Sequence, residues 1–448
     1  MSNKVNQSNS GEISTSRVLA YSSLTIPITA VGIPINVYLP PLYATELGLG
    51  LAAVGFIFML ARVWDVVTDP LVGLLIDRFP SRWGRRKHWI VIGTPILMFS
   101  AWFLYMPSPG SGSAAYLFFL LFMLFIGFTL IDVAHKSWAP DLAESYNDRS
   151  RLFGWRESVN IAGTIGVLSL PAVLSYLSDI DAYDKAASMG IFLIVTLPIT
   201  VAIITWFVPD RVRAGKAPSF AFSEIIPALR NKAILRVFIA ECFVAVGVGS
   251  TAAMFLFVAK WVFLLGNYDS IGLVVFFLSA MIAVPLWVKL SSLIGKHIAV
   301  ITVCLYSALA ILLFLIIDKS GSLVAFLGLT AAVGLGFAGP QILIRSMVAD
   351  VVDQEELRSG HNRSGLYFAL MSTTYKLGNA LAVGISYLVL DQVGFDPAIQ
   401  NSPEAVNGLL ITFVFLPLLF SLLTAVCMLK YPLTKVRHEQ IRKQLQMK

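Results

Sequence analysis

Arg62-Val63-Trp64-Asp65-Val66-Val67-Thr68-Asp69-Pro70 places three ionisable side chains inside an apolar run, residues 51–77, that is long enough to cross a bilayer. Asp65 and Asp69 are four residues apart and share one face of a helix, with Arg62 a turn away on the same side. Ionisable groups at membrane depth are costly, and they usually face a bundle interior, a polar cavity or an ion path. The stretch therefore predicts a membrane helix that carries a cation-handling stripe.

The remainder of the chain has the same character. Of 448 residues, 57% are hydrophobic and 13% charged, which excludes an ordinary soluble globular protein. Apolar runs follow one another at 18–46, 51–77, 88–106, 114–139, 153–178, 186–208, 233–264, 269–293, 297–317, 322–348, 363–390 and 404–430. The expected fold class is an all-α polytopic membrane protein with twelve transmembrane helices in two pseudo-symmetric six-helix bundles. The first 16 residues are polar and show no signal-peptide core. Cys242, Cys304 and Cys427 each lie in an apolar stretch without a CxxC or Cys/His cluster, so they read as packing residues.

Basic residues mark alternate connections. Arg78, Arg82, Arg85, Arg86 and Lys87 follow the second run, Arg149 and Arg151 the fourth, and Arg211, Arg213, Lys216 and Arg230 the sixth. Lys296, Arg358 and a basic tail continue the series, while Pro107 to Ala114 has no charge and Asp391 to Gly408 only acids. The positive-inside rule places both termini and the basic loops on the cytoplasmic side, and the expected location is a plasma membrane, specifically a bacterial inner membrane. The expected division is a tail, 1–17; an N-terminal bundle, 18–208; a cytoplasmic linker, 209–232; a C-terminal bundle, 233–430; and a tail, 431–448. An internal repeat supports it: Ser137…Asp141…Glu144…Arg149-Ser150 recurs as Ser346…Asp350…Asp353…Arg358-Ser359, with an offset of 209 at each matched position. Two such halves suit alternating access around a site at their interface.

Depth brings further groups to the stripe. Asp65 and Thr129 lie about 14 residues into runs of the same direction, and Asp69 and Asp132 about 18, so all four fall roughly 20 to 27 Å from the same boundary. Two carboxylates with a hydroxyl form a hard-oxygen site suited to Na⁺, or to a proton on a buried carboxylate. Lys376 stands near mid-membrane in the eleventh run with no acid on its own helix within two turns. It needs a partner across the interface, from Asp65, Asp69 or Asp132. Arg62 and Arg156 complete the candidate set read from the residues, and Lys136 is able to snorkel to the surface. Glu241, Arg345 and His135 read as structural, and the charged loops Asp141–Arg151 and Asp350–Arg363 as helix-end and inter-half ion pairs.

The chain resembles the glycoside–pentoside–hexuronide:cation symporters of the major facilitator superfamily, the melibiose permease-like transporters. The resemblance covers essentially the whole chain and is most specific at Ala61-Arg62-Val63-Trp64-Asp65-Val66-Val67-Thr68-Asp69-Pro70-Leu71-Val72-Gly73, at Ser81-Arg82-Trp83-Gly84-Arg85-Arg86-Lys87 through Gly93, and at Met347-Val348-Ala349-Asp350-Val351-Val352-Asp353. It implies cation binding by Asp65, Asp69 and Thr129, with Thr68 at a further cation-site position. It also implies substrate binding or coupling by Asp132, Arg156 and Lys376, to which the residue reading adds Arg62. The helix-1 acid of the family is missing from Pro27-Ile28-Thr29-Ala30-Val31, and its helix-4 tryptophan is replaced near Lys136.

The expected function is Na⁺- or H⁺-coupled symport of a sugar or glycoside, with a lysophospholipid or other amphiphile as the alternative substrate. A membrane sensor on a transporter scaffold is a third reading, disfavoured by tails of about 17 residues. No nucleophile elbow, metal motif or phosphate loop points to an enzyme. Expected partners are the solute, the coupling cation and membrane lipid, without nucleic acid, on a monomer. No cofactor is expected beyond the coupling ion.

Overall fold

Helix follows helix along the computed structural model, which describes residues 13–79, 81–108, 112–142, 146–178, 180–210, 231–265, 268–316, 322–359 and 364–446. In chain order the long helices are α1 (Thr15–Thr45), α2 (Leu51–Arg78), α3 (Lys87–Tyr105), α4 (Ala114–Leu142), α5 (Tyr146–Leu177) and α6 (Ala182–Phe207). There follow α7 (Lys232–Val262), α8 (Asp269–Ile294), α9 (Lys296–Ile316), α10 (Leu323–Ser359), α11 (Ser364–Gln392) and α12 (Pro403–Met428). Among the described residues, eleven helices are long and apolar enough to cross a membrane. The remaining long helix is α11, whose Lys376, Asn379 and Ser372-Thr373-Thr374-Tyr375 run dilute its hydropathy.

The sequence accounts for the breaks. α1 holds Pro27, Pro34, Pro40 and Pro41 and opens into a π turn at Pro34–Tyr38, because each ring removes a backbone donor and crowds the preceding turn. Asp181, Asn231 and Ser402 cap α6, α7 and α12 by accepting the backbone N–H of Asp184, Ala233 and Ala405. Gly295 alone joins α8 to α9, at a φ of +90° that favours glycine.

α1–α6 pack chiefly among themselves, as do α7–α12, with α3 on α4 and α7 on α11 among the closest pairs. The two groups meet where α2 lies against α11, α5 against α8, and the π turn of α1 against α7. Small residues bring α2 and α11 together: a Cβ on Gly55 would stand 2.8 Å from that of Tyr387, and one on Gly384 would stand 3.0 Å from the sulfur of Met59. The pairing is antiparallel, so the same register carries Asp65 to Lys376 a few turns on. Large apolar side chains such as Ile282, Leu309, Val195 and Phe99 cover the outer surface, as lipid contact requires.

Of the linker, residues 211–230 lie outside the described residues, as do 143–145 and 360–363 of the charged loops. Two expectations change. The segment 431–448 is more than a tail, because Lys435–Gln446 forms a helix, α13. It packs on α10 through Ile441, while His438 reaches Asp353 at 3.0 Å. Asp350 pairs with Lys296 at 2.6 Å, inside its own group of helices and not between groups. The cause is local: the Gly295 turn sets Lys296 at the head of α9, beside the end of α10. Arg151 likewise stays within its group, donating to Ile13 O at 3.0 Å and to the Thr15 hydroxyl.

Candidate ion and solute site

α2 and α11 meet at a buried cluster. Lys376 Nζ lies 2.8 Å from Asp65 Oδ2 and 2.5 Å from Asp69 Oδ2, so one ammonium from the second group bridges two carboxylates of the first. Asp65 is fully buried, and its other oxygen accepts the Thr129 hydroxyl at 3.0 Å, which ties α4 into the cluster. Asp69 is the more open acid, with 28% of its side chain exposed. Burial of the cluster makes each of these charges costly without its partner.

Thr68 does not join the acids. Its hydroxyl donates to Asp65 O of its own helix at 3.1 Å. Arg62 also turns away from them: its guanidinium donates to Asn36 Oδ1 at 2.7 Å and lies 4.9 Å from the Phe125 ring centroid. Asn36 escaped the sequence reading, although an amide between Pro34 and Pro40 in an apolar run was a usable signal. It sits in the π turn, where the helix widens to admit its contact with Arg62.

Asp132 belongs to a second cluster. Lys136, one turn later on α4, holds it at 2.6 Å, and this short-range partner takes the place that Lys376 was a candidate to fill. Thr29 donates to Asn160 Oδ1 at 2.5 Å, linking α1 to α5 close by. Neither Thr29 nor Asn160 was singled out from sequence. His135 is a structural pin: it meets Tyr21 through ring stacking at 4.2 Å and two hydrogen bonds, Tyr21 OH to His135 O at 2.7 Å and His135 Nε2 with Tyr21 O at 2.9 Å.

A cavity of about 570 Å³ separates the two groups of helices beside these clusters. Asp132, Lys136, Arg156 and Asn160 line one wall, and Phe276, Phe277 and Phe337 line the other. On the face away from the termini, Lys185 of α6 reaches both oxygens of Asp269 of α8 at 2.8 and 2.9 Å. Tyr38 donates to the Ser270 hydroxyl beside it at 2.9 Å. The cluster, the cavity and this closure all lie where the two groups of helices meet, the arrangement a rocking transporter uses.

Comparison with known proteins agrees. Residues 20–435 match the family described as MFS/sugar transport protein. The glucuronide carrier protein homolog of Escherichia coli (strain K12) is 25% identical over 89% of this chain and 88% of its own length. The sodium-dependent lysophosphatidylcholine symporter 1 of Xenopus tropicalis is 24% identical over 91% and 83%. Among solved structures, the nucleoside transporter NupG superposes with a TM-score of 0.69 at 14% identity, covering 93% of this chain and 100% of that one.

Proposed function

The chain belongs to the MFS/sugar transport protein family of multi-pass membrane transporters, and on that premise we propose that it couples the entry of Na⁺ or H⁺ to symport of a sugar or glycoside. The observation that carries the reading is the bridge from Lys376 to Asp65 and Asp69. Two carboxylates face one ammonium, so the cluster holds an excess negative charge and the Thr129 hydroxyl besides. A cation entering there competes with Lys376 for the same oxygens. Its binding loosens α11 from α2, and its release restores the bridge; this links ion occupancy to the relative position of the helix groups. The solute occupies the adjacent cavity, where Asp132, Arg156 and Asn160 offer hydrogen bonds to hydroxyl groups. The sugar-transport family and the glucuronide carrier relative support that choice. The charge distribution supports cytoplasmic termini, and the bacterial carrier relative supports a plasma membrane.

Reconstitution in proteoliposomes tests the reading. Radiolabelled glycosides should accumulate against their gradient when a Na⁺ or a proton gradient is imposed at fixed membrane potential, and omitting each ion in turn identifies the driver. Concentrative uptake that persists in Asp69→Asn would overturn the coupling role. A second reading, an amphiphile as substrate, rests on the wall of Phe276, Phe277 and Phe337, which suits an acyl chain better than a sugar. Saturable uptake of a lysolipid, with no response to any glycoside, would select it.

A further inference from the structure

Among the described residues, three cations line the cavity between the helix groups, and their surroundings differ. Lys136 of α4 is held by Asp132. Arg156 of α5 and Arg345 of α10 stand on opposite groups, and neither guanidinium makes a hydrogen bond or ion pair with another described residue. Arg156 Nε is buried without a partner. Arg345 is exposed to the cavity, 5.9 Å from the centroid of the Tyr375 ring. Glu157, also on the lining, accepts the Asn160 amide at 3.3 Å.

The internal repeat explains why Arg345 is unpaired. It stands immediately before Ser346, as Lys136 stands before Ser137, so the two are counterparts in the two copies. One turn earlier the first copy has Asp132 and the second has Gln341. The second copy keeps the cation and replaces its carboxylate with an amide, whose Nε2 is buried and has no partner. Glu241 of α7, buried with neither oxygen hydrogen-bonded, interacts electrostatically with Arg345.

A guanidinium presents a planar fork that matches a carboxylate or phosphate with two parallel hydrogen bonds, and such bonds strengthen in a low-dielectric cavity. We propose that Arg345 is the anion-binding residue of the second helix group, and that the transported solute carries an oxyanion, a carboxylate or phosphate, on a largely apolar body. The charge sits between Arg345 and Arg156, Gln341 donates its amide N–H, and the aromatic wall packs on the body. This rests on the transporter reading of the cavity and names the chemistry of its solute.

Binding to the purified full-length protein in nanodiscs tests it with two matched pairs. Phenyl β-D-glucuronide is set against phenyl β-D-glucoside, and oleoyl lysophosphatidic acid against monoolein; the pairs separate a soluble carboxylate from a lipid phosphate. The anionic member of one pair should bind at least about tenfold more tightly than its neutral twin. Arg345→Gln should erase that preference and Arg345→Lys should retain part of it, with the neutral twin's affinity unchanged. If Arg345 serves only to neutralise Glu241, the double variant Glu241→Gln/Arg345→Gln restores the preference for the anion, and the proposal falls. It also falls if neither anion binds more tightly than its twin. Uptake driven by the cation gradient but blind to solute charge would remove this proposal and leave the coupling reading standing. Charge-selective binding with uptake indifferent to every cation gradient would do the reverse.

Discussion

Lys376 and Lys185 each carry an ammonium from one group of helices to carboxylate of the other, yet their surroundings differ in a way that separates a working part from a closure. Lys376 spans two acids, one fully buried and the other 28% exposed, beside a single hydroxyl, so negative charge is in excess and an aqueous ion has a way in. Lys185 meets both oxygens of Asp269, and both side chains are less than a tenth exposed. Asp269 Oδ1 also accepts the backbone N–H of Ser270 at 2.5 Å and its hydroxyl at 3.0 Å. A carboxylate so fully satisfied gains little from a new cation and loses much when its partner leaves. The first link is suited to exchange of its partner, the second to holding one face of the molecule shut.

The comparison is broken most severely by removing an acid from the exchange site. Asp65→Asn should reduce cation-driven accumulation by ~100-fold or more, since the buried charge shared by Lys376 and the ion is lost while the amide oxygen still accepts from Thr129. Counterflow of labelled solute at equal concentrations, which needs no gradient, should fall far less. Lys376→Gln comes next and acts in the opposite sense on the ion. Without the competing ammonium two carboxylates face each other, and the protein without coupling ion should lose about 3 kcal/mol of stability. Thermal melts should show the coupling ion stabilising this variant more than the wild type; an equal effect would mean that Lys376 does not compete for the site.

At the closure the expected change is in population rather than in coupling. Asp269→Asn weakens charge-assisted bonds worth about 2 kcal/mol, enough to shift the balance of closed and open forms by roughly 30-fold. Distances between spin labels on the outer ends of α6 and α8 would report it. The charge exchange Lys185→Asp/Asp269→Lys should recover part of the closed population, and no recovery would show that the Ser270 contacts, not the ion pair, hold that face. Cation affinity should be little altered in either variant, which is what sharpens the distinction from Lys376.

The sequence and structure agree where apolar length and charge decide the outcome. Eleven of the twelve apolar runs reappear as helices apolar enough to span a membrane, and α11 falls short for the reason that makes it interesting, its lysine. Depth arithmetic was enough to bring Asp65, Asp69 and Thr129 to one level, because helix rise is nearly constant. It failed for Asp132, since rise fixes height but not azimuth: Lys136 at i+4 pairs with it at 2.6 Å, while Lys376 goes to Asp65 and Asp69. Asn36 was not among the groups so placed, because the π turn re-aims its side chain in a way that proline positions signal only loosely. The Lys185–Asp269 pair joins residues far apart in the chain, and the succession of apolar runs gives no register between the ends of α6 and α8. The helical nature of Lys435–Gln446 was hidden by its charge, because only a few positions such as Ile441 reach the core.

Thr129 and Thr68 give the finest test, since both are buried hydroxyls beside Asp65 and only one touches its carboxylate. Thr129 donates to Oδ1 across a helix interface, while Thr68 satisfies the main-chain oxygen of Asp65 within its own turn. Thr129→Ala should weaken the coupling ion about fivefold, the worth of one hydrogen bond to a charged group in a site where other ligands remain, and Thr129→Ser should restore it. Thr68→Ala should change ion affinity by less than about twofold, because its bond serves the helix backbone and a neighbouring amide already satisfies that carbonyl. Equal losses at the two positions would mean that the ion draws the Thr68 hydroxyl out of its backbone bond and into its coordination. The site would then be assembled by the ion, from one face of α2, and not held ready between α2 and α4.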